Sequence, residues 1–313
     1  MRTRREELQK QTSAMAKLKK KDKIFYVLML AYPVLQFLIF YVGVNFNSFL
    51  LTFQKIDTRL GTVSYTFENF EKVWNDLTRG DFAATCLRNS VKVYFMTTWV
   101  ITPLALFFSF YIYKKMIGWG AFRVILYIPS IISGIVLALI MKLFYNFAIP
   151  DFVDRVFGFH IENGLTNNKD YRFGTLLFNA VFFGFGSNVL LYSNAMSGIS
   201  TEMVESAHLE GATGIKEFWY ITLPSIYSTF TVFVVTGVAG IFTADLGLFS
   251  FYGTSAPEDM ITYNYYMYRE TYLAVNDSAY PRIATMGFYM SLVCIPLTFL
   301  TKYFMEKYGP SAD

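Results

Sequence analysis

Six apolar blocks of about 20 residues or more, nearly free of charge, mark this chain at residues 24–47, 89–113, 121–144, 174–199, 224–249 and 283–304. Each is long enough to cross roughly 30 Å of hydrocarbon as a helix rising about 1.5 Å per residue. In hydrocarbon every backbone amide must be bonded within its own segment, so the blocks predict helices. Pro33, Pro103, Pro129 and Pro296 fall inside four of them. Each removes a helix hydrogen bond and predicts a kink, which suits either a bundle around a cavity or plain packing irregularity. The uncharged run 24–53 is far longer than the roughly 7–15 residues of a signal-peptide core, so a retained first span is expected.

The expected fold is therefore an all-α integral membrane protein with six transmembrane helices. Composition agrees: 54% of the 313 residues are hydrophobic and 16% charged, against roughly 25% charged in soluble domains. The reading divides the chain into a basic tail (1–23), a six-helix domain (24–304) and a short C-terminal tail (305–313). Cys86 and Cys294 are far apart, and with His160 and His208 they make no ligand-like spacing, so neither a disulfide framework nor a metal site is expected.

Charge sets the expected topology. The net charge of +4 owes its sign to the basic cluster in the first 23 residues, which should stay in the cytoplasm and signal orientation rather than nucleic-acid binding. An even number of spans returns the C-terminus to the same side, as does the short turn with Lys114, Lys115 and Arg123. Loops 54–88, 145–173 and 250–282 then lie outside. The last is rich in tyrosine (Tyr252, Tyr263, Tyr265, Tyr266, Tyr268, Tyr272, Tyr280), which reads as an interfacial belt or as a stacking surface for sugar rings.

The longest cytoplasmic loop, 200–223, has an order of its own. Thr201 is a suitable N-cap, Glu202 and Glu205 complement the dipole of a helix beginning there, and Met203, Val204 and Ala207 form an apolar stripe. Gly211 and Gly214 permit a turn. Ile215, Phe218, Trp219 and Ile221 then predict a second amphipathic piece packed on the bundle, and Pro224 suits the first turn of the fifth span.

The spacing Glu205, Ser206, Ala207, three residues, Gly211, nine residues, Ile221, one residue, Leu223, Pro224 resembles the EAA loop of binding-protein-dependent permeases, the membrane subunits of ATP-driven importers. Ser206 stands where alanine is usual, and Glu210, before Gly211 and Ala212, where the carbohydrate branch often has aspartate. The whole chain is similar to that branch, typified by the maltose permease subunits. The resemblance implies a multi-pass protein of the cell membrane and a coupling helix between spans four and five, with Glu205 and Gly211 at the contact with a cytoplasmic ATPase. It also implies an ATPase dimer carrying ATP and Mg, a second homologous permease, an extracellular or lipid-anchored solute-binding protein, and a sugar as cargo.

The chain has no glycine-rich phosphate loop ending in Gly-Lys-Ser or Gly-Lys-Thr, so it is not expected to hydrolyse ATP or to hold a cofactor of its own. No Ser, His and Asp set suggests an intramembrane hydrolase. Span four carries many hydrogen-bonding groups for one buried helix, which should face a wet cavity or other helices. By the resemblance, the sugar-contacting stretch is Phe183, Gly184 and Ser187 with Asn188 adjacent. Tyr192 follows on the same span, and span five offers Gly240, Thr243 and Asp245, the last either lining the pathway or sitting near the outer interface. A stand-alone secondary carrier or channel is the alternative, although Lys92, Lys142 and Asp245 are few intramembrane charges for an ion-coupled carrier. A structural scaffold would leave the 205–224 spacing unexplained.

Overall fold

The computed structural model describes residues 22–57 and 60–310. The basic tail expected over 1–23 therefore lies outside the described residues except for its last two positions, as does the end of the C-terminal tail beyond Pro310.

Helix α1 (Asp22–Thr52) is followed by strands β1 (Gln54–Asp57) and β2 (Thr62–Tyr65). Next come α2 (Glu68–Arg79), α3 (Asp81–Tyr113), α4 (Trp119–Ile131), α5 (Gly134–Phe157) and α6 (Arg172–Met196). Then follow α7 (Thr201–Leu209), α8 (Ile215–Ser225), α9 (Tyr227–Ala239), α10 (Leu248–Tyr252), α11 (Tyr263–Leu273) and α12 (Tyr280–Tyr308). Among the described residues five helices are long and apolar enough to cross a membrane, and six if α8 and α9 are taken as one broken span.

Two departures from the sequence reading matter. The third span, expected over 121–144, is divided: α4 stops two residues after Pro129, Ile132 and Ser133 are extended, and α5 runs on to Phe157. The helix predicted over 224–249 is also broken. α8 and α9 meet at 71°, and the 13 residues of α9 rise only about 20 Å before the chain turns at Gly240. By contrast α3 and α12 run without interruption through Pro103 and Pro296. The all-α expectation also missed a hairpin, β1 paired antiparallel with β2.

The bundle is built on the pairing of α3 with α6, which pack along most of their lengths, with α4 against α6 and α12 against α9, α2 and the end of α1. Ser109 of α3 lies with its hydroxyl 2.8 Å from the Val189 carbonyl of α6. At Gly186 a Cβ would fall 2.3 Å from the Leu126 carbonyl oxygen, so α4 reaches the backbone of α6 because that position has no side chain. Two buried clusters result. One, near the hairpin, gathers Val73, Cys86, Leu176, Tyr263 and Tyr265, and the other, near the 200–225 loop, gathers Ala105, Val189, Tyr192, Met196 and Phe218.

The hairpin end is pinned by polar contacts. Asn89 donates to the carbonyls of Asp259 and Ile261 at 2.9 and 3.0 Å. Arg172 pairs with Asp259, and Arg282 with Asp76. Tyr265 donates to the Gly253 carbonyl at 2.8 Å and accepts from the Ala256 amide. Tyr263, Tyr265 and Tyr266 are thus core residues rather than a surface belt, and Tyr268 and Tyr272 form an exposed stacked pair beside Phe249.

Candidate functional site: the 200–225 loop and a cavity at mid-bundle

Helix α7 is capped by Ser200, whose Oγ accepts from the Met203 amide at 3.3 Å, one residue earlier than the sequence suggested. Val204 and Ala207 are buried against the bundle, whereas Glu205 and Ser206 are exposed. The helix thus shows one face inward and offers the acidic and small residues to solvent. Leu209 at its end is 91% exposed. The turn follows at Gly211, with φ +84° and nothing near a would-be Cβ, and at Gly214, with φ +59°. Ala212 is half-buried.

The second piece, α8, packs back through fewer residues than predicted. Phe218 is fully buried between Phe107 and Phe110, each with its ring 5.2 Å away, and Ile221 and Leu223 are half-buried, but Ile215 and Trp219 are exposed. The wider π turn at Phe218–Thr222 precedes Pro224. Pro224 closes α8, just before the bend at Ile226, rather than opening a long fifth span.

What anchors this loop is Glu217, which the sequence reading passed over. Its carboxylate is fully buried, 2.8 Å from the Lys114 ammonium at the end of α3 and 2.8 Å from His208 Nε2 of α7. Burial pushes this carboxyl up, but hydrogen bonds from His208 and Lys114, with their charges, outweigh it and hold the group below the ordinary carboxylate value. One buried acid thus joins both loop helices to the inner cluster. The sequence signal was an acidic residue directly before Phe218, on the face that packs inward.

A second feature lies where α3, α6 and α9 meet. A cavity of about 290 Å³ is lined by Thr97, Thr98 and Thr102 of α3, Asn188 and Tyr192 of α6, and Thr236 of α9. Tyr192 packs its ring 4.8 Å from Phe233. Asn188 and Tyr192 are among the residues singled out from the sequence, whereas the α3 threonines are not, since threonine is neither charged nor strongly polar in a hydropathy pattern.

The other residues singled out lie elsewhere. Phe183 packs edge-on to Phe182, and Gly184 faces Ile101 of α3, where a Cβ would come within 3.2 Å of Cδ1. Ser187 is exposed. Gly240, Thr243 and Asp245 fall beyond the end of α9 and build its closing turn: Thr243 donates to the Gly240 carbonyl at 2.8 Å, and Asp245 accepts from the Gly247 amide at 2.8 Å. None of these six lines the cavity. Lys142 donates to the Phe251 carbonyl at 2.8 Å. Among the described residues no group of three or more His, Cys, Asp or Glu side chains is placed to hold a metal ion.

Comparison with known proteins places this geometry. Residues 101–309 match the family described as "Binding-protein-dependent transport system inner membrane component". The arabinooligosaccharides transport system permease protein AraP of Bacillus subtilis is 26% identical over 274 residues, covering 86% of this chain and 84% of the relative. Protein LplB of the same organism is 22% identical over 300 residues, covering 92% and 90%. Among solved structures, a bacterial ABC transporter involved in the import of the acidic polysaccharide alginate superposes with a TM-score of 0.76 at 18% identity, covering 94% of this chain and 99% of that one. A structure of a bacterial alginate ABC transporter in complex with an alginate pentasaccharide-bound periplasmic protein gives 0.71 at 17% identity, covering 90% and 93%.

Proposed function

The chain belongs to the family of binding-protein-dependent transport system inner membrane components, and from that premise we propose that it is the permease subunit of an ATP-driven oligosaccharide importer. In this reading α7 is the coupling helix, and its exposed Glu205 and Ser206, with Gly211 in the turn that follows, meet a cytoplasmic ATPase. The observation that carries the proposal is the loop's construction: one face of a short capped helix is free, while the buried Glu217 fixes the loop to α3, so that a push on α7 reaches the bundle. Both termini then lie in the cytoplasm, and the ATP and Mg belong to the partner ATPase.

A second permease completes the path. In support, α1 is exposed along its whole length before Leu50, an apolar rod with faces free for lipid and for another subunit. The names of the similar proteins favour a saccharide cargo delivered by a solute-binding protein.

The test is reconstitution of this chain in proteoliposomes with its second permease, the ATPase dimer and the solute-binding protein. Uptake of arabino-oligosaccharides or related saccharides that requires ATP and all four components supports the reading. Uptake by this chain alone, without ATP, would replace it with a stand-alone carrier.

A further inference from the structure

We infer that α8 is seated in the cytoplasmic leaflet of the membrane, with Ile215, Trp219 and Tyr220 as its lipid-contacting flank and Lys115 and Lys216 as the cations that hold anionic lipid headgroups. The inference goes beyond the permease reading and rests on it only for which leaflet is the cytoplasmic one.

A helix bent 71° from the span that follows it lies close to the membrane plane when that span crosses the bilayer. In that position α8 shows two apolar faces. Phe218 and Thr222 are buried against the bundle, whereas Ile215 and Trp219, four residues apart and so on one side of the helix, are exposed. Trp219 is 53% exposed and the adjoining Tyr220 73%. The bundle therefore accounts for one face and leaves the other uncovered.

Depth decides what meets the uncovered face. Phe218 sits between the rings of Phe107 and Phe110, which precede Lys114 by seven and four residues. At about 1.5 Å per residue along α3, Phe218 and its neighbour Trp219 thus lie about 6–10 Å inside the level of that lysine. Interfacial helices bury their apolar faces about 5–10 Å into the boundary between headgroups and acyl chains, and tryptophan and tyrosine concentrate at that level. Phe107, stacked on the Phe218 ring, is itself exposed, so the apolar surface runs on from Trp219 to the flank of a membrane span. A cytoplasmic ATPase meets the chain further out, where Glu205 is displayed.

Charge names the lipid. Lys216 lies between Ile215 and Tyr220 in sequence, and Lys115 adjoins the Lys114 that bonds to Glu217 of α8. Both are exposed, and among the described residues neither forms an ion pair. A lysine held near a charged leaflet favours anionic over neutral lipid about five-fold. Two such cations beside an apolar flank complement a phosphate headgroup that carries net negative charge.

The experiment uses the complex of this chain with its second permease and the ATPase dimer, in nanodiscs of equimolar phosphatidylglycerol and phosphatidylcholine. The photo-crosslinker p-benzoylphenylalanine takes the place of Trp219, of Tyr220 or, as a control, of Glu205, and the adducts formed on irradiation are identified by mass spectrometry. At Trp219 and Tyr220 the adducts should be phospholipids, with phosphatidylglycerol exceeding phosphatidylcholine at least five-fold. Lys115→Gln combined with Lys216→Gln should bring that ratio close to one. At Glu205 the adduct should be the ATPase. Adducts of Trp219 and Tyr220 with the ATPase or the second permease in place of lipid, or a lipid ratio that the two glutamines leave unchanged, would overturn the inference. Lipid adducts at Trp219 with no ATPase adduct at Glu205 would support the lipid contact and count against the permease reading alone.

Discussion

The Glu217 carboxylate lies 2.8 Å from the Lys114 ammonium, joining the second helix of the 200–225 loop to the end of α3 across 103 residues of sequence. His208 approaches the same carboxylate from α7. Hydrogen bonds to a buried charged group contribute about 1.5–3 kcal/mol each. Glu217→Gln keeps the size of the side chain and removes its charge. The variant should assemble, but amides of residues 203–217 should exchange with solvent at least ten-fold faster, and uptake should fall relative to ATP hydrolysis. Unchanged exchange in this segment would show that Phe218 packing alone holds the loop.

The same carboxylate gives the loop a pH dependence whose sign is fixed. Its folded-state value is held below the ordinary one of about 4.3, so its stabilising effect is complete above that pH and is lost as the pH falls through the lower, folded-state value. Trp219 stands 5.3 Å from the Phe218 ring and can report the change once Trp74, Trp99 and Trp119 are replaced by Phe. Its fluorescence should change on acidification below the ordinary carboxylate value, and the change should vanish in the Glu217→Gln background. A transition that persists there belongs to another group.

Much of this architecture was legible because hydropathy averages over a bilayer's width. The averaging also explains the misses. Two extended residues, Ile132 and Ser133, break a span without altering its mean hydropathy, and Ile226, where α8 bends into α9, is as apolar as its neighbours. Asp245 fell at the outer end of the expected fifth span, in the pathway or at the interface, because no change in hydropathy marks the turn that begins at Gly240. The loop was legible for a different reason: fixed residues at two long spacings survive any uncertainty in helix ends. Its anchor was not, because Glu217, His208 and Lys114 meet only in the folded chain.

Two glycines two residues apart on α6, facing different neighbouring helices, should respond differently to alanine. At Gly186 the new methyl would press on the Leu126 backbone carbonyl at 2.3 Å, which cannot yield unless α4 moves. At Gly184 it would meet the Ile101 side-chain tip at 3.2 Å, which can rotate. Alanine gains about 1 kcal/mol of helix propensity over glycine at either position. Gly184→Ala should therefore leave thermal stability in detergent nearly unchanged or slightly raised, while Gly186→Ala should cost about 1–3 kcal/mol through overpacking. Equal melting temperatures for the two variants would contradict the close approach of α4 to α6.

Glu205 separates docking from folding, because its side chain is exposed on α7 and makes no hydrogen bond or ion pair in the described chain. Surface substitutions of that kind usually change stability by less than about 0.5 kcal/mol, so Glu205→Lys should express, insert and melt like the unmodified protein. At a protein contact the reversed charge meets the partner's complementary groups, where like charges cost several kcal/mol. The ATPase should co-purify poorly with the variant, and both binding-protein-stimulated ATP hydrolysis and uptake should drop by an order of magnitude or more. Gly211→Asp adds a side chain in the left-handed region at φ +84° and should produce the same uncoupling with a modest loss of stability, about 1 kcal/mol. Normal co-purification and uptake in both variants would move the ATPase contact away from α7, and the exposed face of that helix would need another partner.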